Sequence, residues 1–117
     1  FSLRTKKARL CNEWLLTSYQ VNGNEFIESQ PTVKFAIDKD GTYSISSSAT
    51  VLGQIQTDYE HGTWTLETEG TVLSTLIEGE EFPSLLTINE LRHKSLTLQY
   101  YNVQNNKTYV MVYSADK

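Results

Sequence analysis

The sequence has one cysteine and two histidines among 117 residues, and this scarcity excludes several kinds of site. The single cysteine, Cys11, cannot form an intrachain disulfide, so the fold does not depend on a disulfide framework. The histidines, His61 and His93, are far apart in sequence, and neither has the short spacing of a metal-binding motif. The six glycines stand singly, so no glycine-rich loop is available to bind a phosphate group.

Basic charge and long apolar runs are also scarce. The chain has 10 lysines and arginines against 14 aspartates and glutamates, and the net charge of −4 argues against nucleic acid as a partner. No apolar run approaches the length of a membrane span. Hydrophobic residues make up 38% and charged residues 21%, as in soluble globular proteins. Because no linker or repeat interrupts the chain, we predict one domain over residues 1–117.

Residues 1–11 are predicted to form an N-terminal arm or a single helical turn. A run of basic side chains favours a solvated segment, with an anionic membrane surface as the alternative partner. For Cys11 the alternatives are a half-buried structural thiol and the acylated cysteine of a bacterial lipoprotein. The preceding Ala8-Arg9-Leu10 lacks the small residues usual before an acylation site, which favours the structural thiol.

Alternating apolar and polar residues predict a series of short strands. The most specific signal is a hairpin, in which Phe35 and its alternating neighbours lead through Asp40-Gly41 into a second alternating run. In the first strand, alternation puts Trp14 and Tyr19 on opposite faces. A polar bend is predicted at residues 46–48. We predict strands over residues 14–21, 33–37, 42–46, 50–59, 61–67, 71–77, 85–91, 95–102 and 108–114.

Eight or nine short strands joined by short turns indicate an all-β fold. A meander of this kind removes its exposed edges only by closing on itself. We therefore predict an up-and-down antiparallel β-barrel of about eight strands.

Residues 61–66 form the most informative strand, because Gly62 and Trp64 share one face. A glycine beside a tryptophan lets a neighbouring strand approach closely while the indole covers a large apolar area. His61 follows Asp58 and Glu60, so a metal site or an acid–base pair is the alternative to a solvated strand end. His93 is assigned to a polar turn. We assign no catalytic residue, metal ligand or cofactor, and we predict that the protein is not an enzyme.

The last strand is apolar on both faces, with Tyr109, Met111 and Tyr113 on one and Val110 and Val112 on the other. Such a strand is covered on both sides or faces a dry cavity on one. An eight-stranded barrel is either filled by its own side chains or holds one small ligand, and both alternatives stay open. If a ligand cavity exists, the predicted lining residues are Phe35, Tyr43, Trp64, Tyr109, Met111 and Tyr113.

The order of the motifs resembles that of small bacterial lipocalin-like domains. The sequence begins this pattern with Trp14-Leu15-Leu16-Thr17-Ser18-Tyr19-Gln20-Val21-Asn22-Gly23. Phe35 and Asp40-Gly41-Thr42-Tyr43 follow, and then Gly62-Thr63-Trp64. The sequence departs from the lipocalin pattern at Asn12, where the first motif has glycine, and it lacks the paired cysteines of many secreted lipocalins.

The resemblance implies a lipocalin-like barrel with one end closed by the N-terminal segment and Trp14. It also implies a secreted, periplasmic or cell-envelope protein. No export signal occurs within residues 1–117, so this expectation requires one that precedes Phe1. The resemblance is a better guide to the fold than to the activity, since many members of this group have no known function.

Two functional hypotheses follow. The first is non-enzymatic binding of a small hydrophobic molecule in the barrel. The second is a structural domain, or one that binds a protein or glycan through Tyr59, Phe82, Tyr101 and the acidic loop Glu78-Gly79-Glu80-Glu81. No oligomeric state is predicted.

Overall fold

The computed structural model describes residues 5–115 of the chain. Arg4 and the rest of the predicted arm before Thr5 lie outside the described residues. The remainder of the arm forms the predicted helical turn, α1, at Lys6–Leu10. The strands are β1 (Glu13–Val21), β2 (Asn24–Glu25), β3 (Thr32–Ile37), β4 (Thr42–Val51), β5 (Gln54–Glu67), β6 (Val72–Ile77), β7 (Ser84–Leu91), β8 (Ser95–Asn102) and β9 (Lys107–Ser114).

The strands form one closed antiparallel barrel. From β3 onward each strand pairs with the next, β3 also pairs with β1, and β9 pairs back with β1. Strand β2 only extends a hairpin at the end of β1, so eight strands make the ring. The predicted all-β, up-and-down barrel is confirmed.

The hairpin predicted at Asp40-Gly41 joins β3 to β4. The Asp40 carboxylate accepts hydrogen bonds from the backbone N–H of Thr42, at 3.0 Å, and from the Thr42 hydroxyl, at 2.6 Å. Gly41 has φ of 92°, which glycine adopts without steric cost. The hydrogen bonds of the Asp40 side chain and the positive φ of Gly41 together explain why this turn could be predicted from the sequence.

The second hairpin corrects two predictions. Residues 46–48 are not a bend, because β4 continues through them to Val51. The strands predicted over residues 50–59 and 61–67 are not separate either, since the chain turns at Leu52-Gly53 and then runs as the single strand β5. Leu52 and Gly53 have φ of 52° and 79°, the positive values that a two-residue hairpin turn needs to match the twist of its strands.

This second hairpin extends past its neighbours. Strand β4 pairs with β5 as far as Val51 and Gln54, whereas β3 pairs with β4 only as far as Ser48. Pairing of β6 with β5 begins at Gly62. Residues 49–56, which we call the projecting hairpin, therefore pair with no further strand in the part of the chain that the structure describes.

Gly62 is required by close packing, as the glycine–tryptophan pattern predicted. A Cβ atom at this position would overlap the Leu76 carbonyl oxygen on β6 and would lie 2.7 Å from the Tyr43 ring on β4. Tyr43 is the cross-strand partner of Gly62. The missing side chain thus makes room for a buried tyrosine ring in the wall of the barrel.

Helix α1 and two tryptophans close one end of the barrel, as the resemblance implied. Trp14 and Leu10 are fully buried, and the Trp14 indole N–H donates a hydrogen bond to the Leu10 carbonyl at 2.9 Å. The Lys7 ammonium lies 5.6 Å from the centre of the Trp64 ring, within cation–π range. Cys11 directly follows α1 and is partly buried against the core. Neither α1 nor the short 3-10 turns between Thr5 and Ala115 could cross a membrane.

Candidate ligand-binding cavity

A cavity of about 430 Å³ occupies the barrel beyond the plugged end. Every one of the eight ring strands contributes at least one side chain to it. Its volume lies within the range of small-molecule sites in proteins. The described residues that line it are Tyr19, Phe35, Ile45, Glu60, Thr75, Ile77, Ser84, Leu86, Leu98, Tyr100, Asn102, Tyr109, Met111 and Tyr113.

The floor of the cavity is apolar and rigidly packed. Phe35, Leu98 and Tyr113 are almost completely buried there. The Phe35 and Tyr113 ring centres are 5.8 Å apart, and Tyr43 meets Phe35 edge to face at 5.7 Å. Burial also raises the pKa of Tyr113, so its hydroxyl stays protonated well into the alkaline range.

Three half-buried tyrosines from different strands form one wall of the cavity. The ring of Tyr109 lies 6.1 Å from that of Tyr19 and 6.2 Å from that of Tyr100. The Asn105 side-chain amide donates a hydrogen bond to the Tyr109 hydroxyl at 3.0 Å. Burial, followed by the proximity of Tyr109, raises the pKa of Tyr19. The wall therefore offers aromatic rings together with phenol hydroxyl groups.

Glu60 brings a carboxylate to this aromatic surface. The Tyr43 hydroxyl donates a hydrogen bond to Glu60 Oε2 at 3.0 Å. Burial raises the pKa of Tyr43, and the hydrogen bond and negative charge of Glu60 raise it further. The Tyr43 hydroxyl therefore keeps its proton and remains a hydrogen-bond donor that fixes the position of the Glu60 carboxylate.

Four of the six residues predicted to line a cavity come together here. Phe35, Tyr109, Met111 and Tyr113 all border the same space. Tyr43 does not line it but supports Phe35 and Glu60. Trp64 lies at the plugged end, where its indole N–H donates a hydrogen bond to the Asp38 carbonyl at 2.9 Å. Trp64 is four residues from Glu60 on β5, about 13 Å along the strand.

Sequence reasoning missed several lining residues, and for some of them the signal was present. Glu60 shares the inward face of Gly62 and Trp64, and Tyr100 shares a face with Leu98 on β8. Tyr19 could not be found by alternation. A β-bulge between Leu16 and Ser18 shifts the pairing with β9 and turns Tyr19 inward.

His61 points away from the cavity. Glu60 and His61 are successive strand residues and face opposite sides of β5, so they do not form an acid–base pair. Instead the His61 ring stacks on Tyr59, with centres 6.3 Å apart and planes 10° from parallel. Within residues 5–115, no group of three or more histidine, cysteine or acidic side chains is arranged to hold a metal ion.

The fold is similar to that of solved lipocalin structures. A lipocalin-like protein from Bacteroides uniformis superimposes with a TM-score of 0.63 at 17% identity, covering 92% of this chain and 98% of that one. Bovine odorant binding protein in complex with undecanal gives a TM-score of 0.57 at 12% identity, covering 100% of this chain and 77% of that one. The bovine lipocalin allergen Bos d 2 gives 0.54 at 12% identity, covering 94% and 75%.

No model of a protein family and no curated protein matches the chain. The structural likeness therefore concerns the fold, and it agrees with the closed ring of eight strands. The chain has the lipocalin-like barrel fold.

Proposed function

We propose that this protein binds a small, mainly apolar molecule inside its barrel and performs no chemistry on it. The observation that carries the proposal is the cavity of about 430 Å³ to which all eight ring strands contribute. Aromatic side chains and the flexible thioether of Met111 suit an apolar ligand of variable shape. The complex of bovine odorant binding protein with undecanal gives the proposal a precedent of the same fold.

Binding of a neutral fluorescent probe, N-phenyl-1-naphthylamine, tests this function directly. Its emission should rise on transfer from water into the barrel and saturate at one probe per chain. Leu86 lines the cavity, whereas its neighbour Leu85 points outward and is 54% exposed. Leu86→Trp should fill the space and abolish the saturable signal, and Leu85→Trp should leave it unchanged. Equal titration curves for both variants would contradict binding in the cavity.

The proposal includes a location in the periplasm, the cell envelope or the medium, because the bacterial domains that the sequence resembles are found there. Fractionation of cells expressing the gene with its upstream region would test it. Recovery of the protein only with the cytoplasmic fraction would contradict it.

A second candidate function is binding of a glycan or protein through exposed aromatic side chains. Tyr59, Phe82 and Tyr101 are exposed, and the stacked Tyr59 and His61 rings offer aromatic surface on which a sugar could pack. These aromatics lie on β5, in the β6–β7 loop and on β8, so they belong to separate parts of the surface. Screening of a glycan array with the wild type and with Tyr59→Ser would test the role of this ring pair. Identical binding patterns would contradict a role of the Tyr59–His61 pair in glycan binding.

A further inference from the structure

The charge distribution in the cavity points to one class of ligand. Among the lining residues between Thr5 and Ala115, Glu60 is the only acidic one, and none is a lysine, arginine or histidine. Its carboxylate is half-buried, and no cationic side chain of the described residues lies within ion-pair distance. A carboxylate in this position carries a negative charge that the barrel itself leaves uncompensated.

The hydrogen bonding of Glu60 leaves one oxygen available. Oε2 accepts the hydrogen bond from Tyr43, and no described residue donates to Oε1. Because the Tyr43 hydroxyl fixes the carboxylate from the wall, the free oxygen is held ready for a donor in the cavity. A partly buried charge gains most from a donor that is itself charged.

The wall of tyrosines is suited to the same kind of group. Tyr19, Tyr100 and Tyr109 all line the cavity, and aromatic rings attract cations through their quadrupole. The apolar floor around Phe35 and Leu98 accepts hydrocarbon but offers no partner for a charge. The cavity therefore combines an acidic side chain and aromatic rings with an apolar floor.

We propose that the barrel selects a cationic amphiphile: a small primary amine with a hydrocarbon or aromatic body. The ammonium group would pair with Glu60 beside the tyrosine rings, and the body would rest on the apolar floor. This inference rests on the proposed function, since it names the ligand class of the same cavity. A neutral analogue leaves the carboxylate unpaired, and an anionic analogue is repelled by it.

A set of three ligands with one carbon skeleton tests the charge preference. Calorimetric titration at pH 7 compares 4-phenylbutylamine, 4-phenylbutan-1-ol and 4-phenylbutanoate. We expect the amine to bind about tenfold more tightly than the alcohol, and the carboxylate to bind most weakly. Glu60→Gln should remove the advantage of the amine and leave the affinity for the alcohol unchanged.

Glu67→Gln is the matched control, because Glu67 is exposed on the same strand and carries the same charge. It should preserve the preference for the amine. Equal binding of amine and alcohol to the wild type would overturn the inference, and so would an unchanged preference for the amine in Glu60→Gln. In either case, saturable binding of the alcohol would still support the cavity as a binding site. Failure of all three ligands and of N-phenyl-1-naphthylamine would overturn the proposed function and the inference together.

Discussion

Tyr43 and Glu60 lie on adjacent strands and are joined by a hydrogen bond of 3.0 Å between the phenol and the carboxylate. Tyr43 is 2% exposed and also packs edge to face on Phe35. This pair links the packed core of the barrel to the charged group of the cavity. The carboxylate is therefore part of the supporting structure as well as of the binding surface.

Loss of this hydrogen bond should destabilise the fold. We expect Tyr43→Phe to lower the free energy of unfolding by about 1.5 kcal/mol, because the ring is kept while a bond to a charged acceptor is removed. Urea denaturation followed by tryptophan fluorescence measures the change. Tyr59→Phe is the control, since Tyr59 is exposed on the neighbouring strand. A loss of the same size in both variants would contradict a specific role for the bond.

Gly62 should be the least replaceable glycine of the described chain. Gly62→Ala should cost about 3 kcal/mol, because the new Cβ would press on the Leu76 carbonyl and the Tyr43 ring and force the backbone to move. Gly23 lies in an open turn with φ of 86° and no atom near the position of a Cβ. Gly23→Ala should cost only about 1 kcal/mol, from its left-handed backbone. Chemical denaturation of the two variants separates packing from backbone strain, and equal losses would argue against close packing at Gly62.

Stability should fall above pH 10 because of the buried tyrosines. In the unfolded chain a tyrosine ionises near pH 10, whereas burial keeps Tyr113 protonated to higher pH in the folded chain. The unfolded state thus holds fewer protons, and the stability that Tyr113 contributes is complete below pH 10 and is lost as the pH rises toward its raised folded value. The slope reaches about 1.4 kcal/mol per pH unit for each such tyrosine.

Urea denaturation at a series of pH values from 8 to 11 measures this effect. Tyr113→Phe should show a shallower decline than the wild type, and the difference isolates Tyr113 from lysines that titrate in the same range. Parallel declines would show that Tyr113 ionises equally in both states.

Leu52 occupies a position that suits another residue better. It is 99% exposed and has φ of 52°, a conformation that costs leucine about 1 kcal/mol and that asparagine tolerates. Leu52→Asn should therefore raise the free energy of unfolding by up to about 1 kcal/mol, measured by thermal and urea denaturation. Leu52→Ala keeps the backbone strain and should change stability little. A gain of equal size in Leu52→Ala would assign the effect to the removal of apolar surface instead.

The same turn shows where sequence reasoning failed. At Asp40-Gly41, a carboxylate that bonds its own backbone and a glycine with positive φ both mark the reversal of the chain. At Leu52-Gly53 only the glycine is typical of a turn, whereas Leu52 is equally compatible with a strand that continues. The polar run at residues 46–48 was equally misleading, because serines pair in a β-ladder as well as other residues do when neighbouring strands supply the partners.

The cavity was partly predictable for a related reason. Alternation tells which residues of one strand share a face, so Tyr109, Met111 and Tyr113 were grouped together, and they border the cavity with Phe35 of β3. Alternation carries no information about position along the barrel axis. The pattern alone therefore could not show that Trp64 lies at the plugged end and not beside the cavity. A bulge breaks the period altogether, which is why Tyr19 was assigned to the wrong face.

The pairing of β1 with β9 has a consequence for how the protein folds. All other ring contacts join strands that are close in sequence, so hairpins can form early and at small entropic cost. The pairing of Tyr19 with Met111 instead closes a loop of 92 residues, as the difference between the two positions gives (111 − 19 = 92). We expect this closure to be a late and slow event. Because both residues border the cavity, the ability to hold a ligand would arise only when the last seam of the barrel forms, and a ligand would act by slowing its reopening.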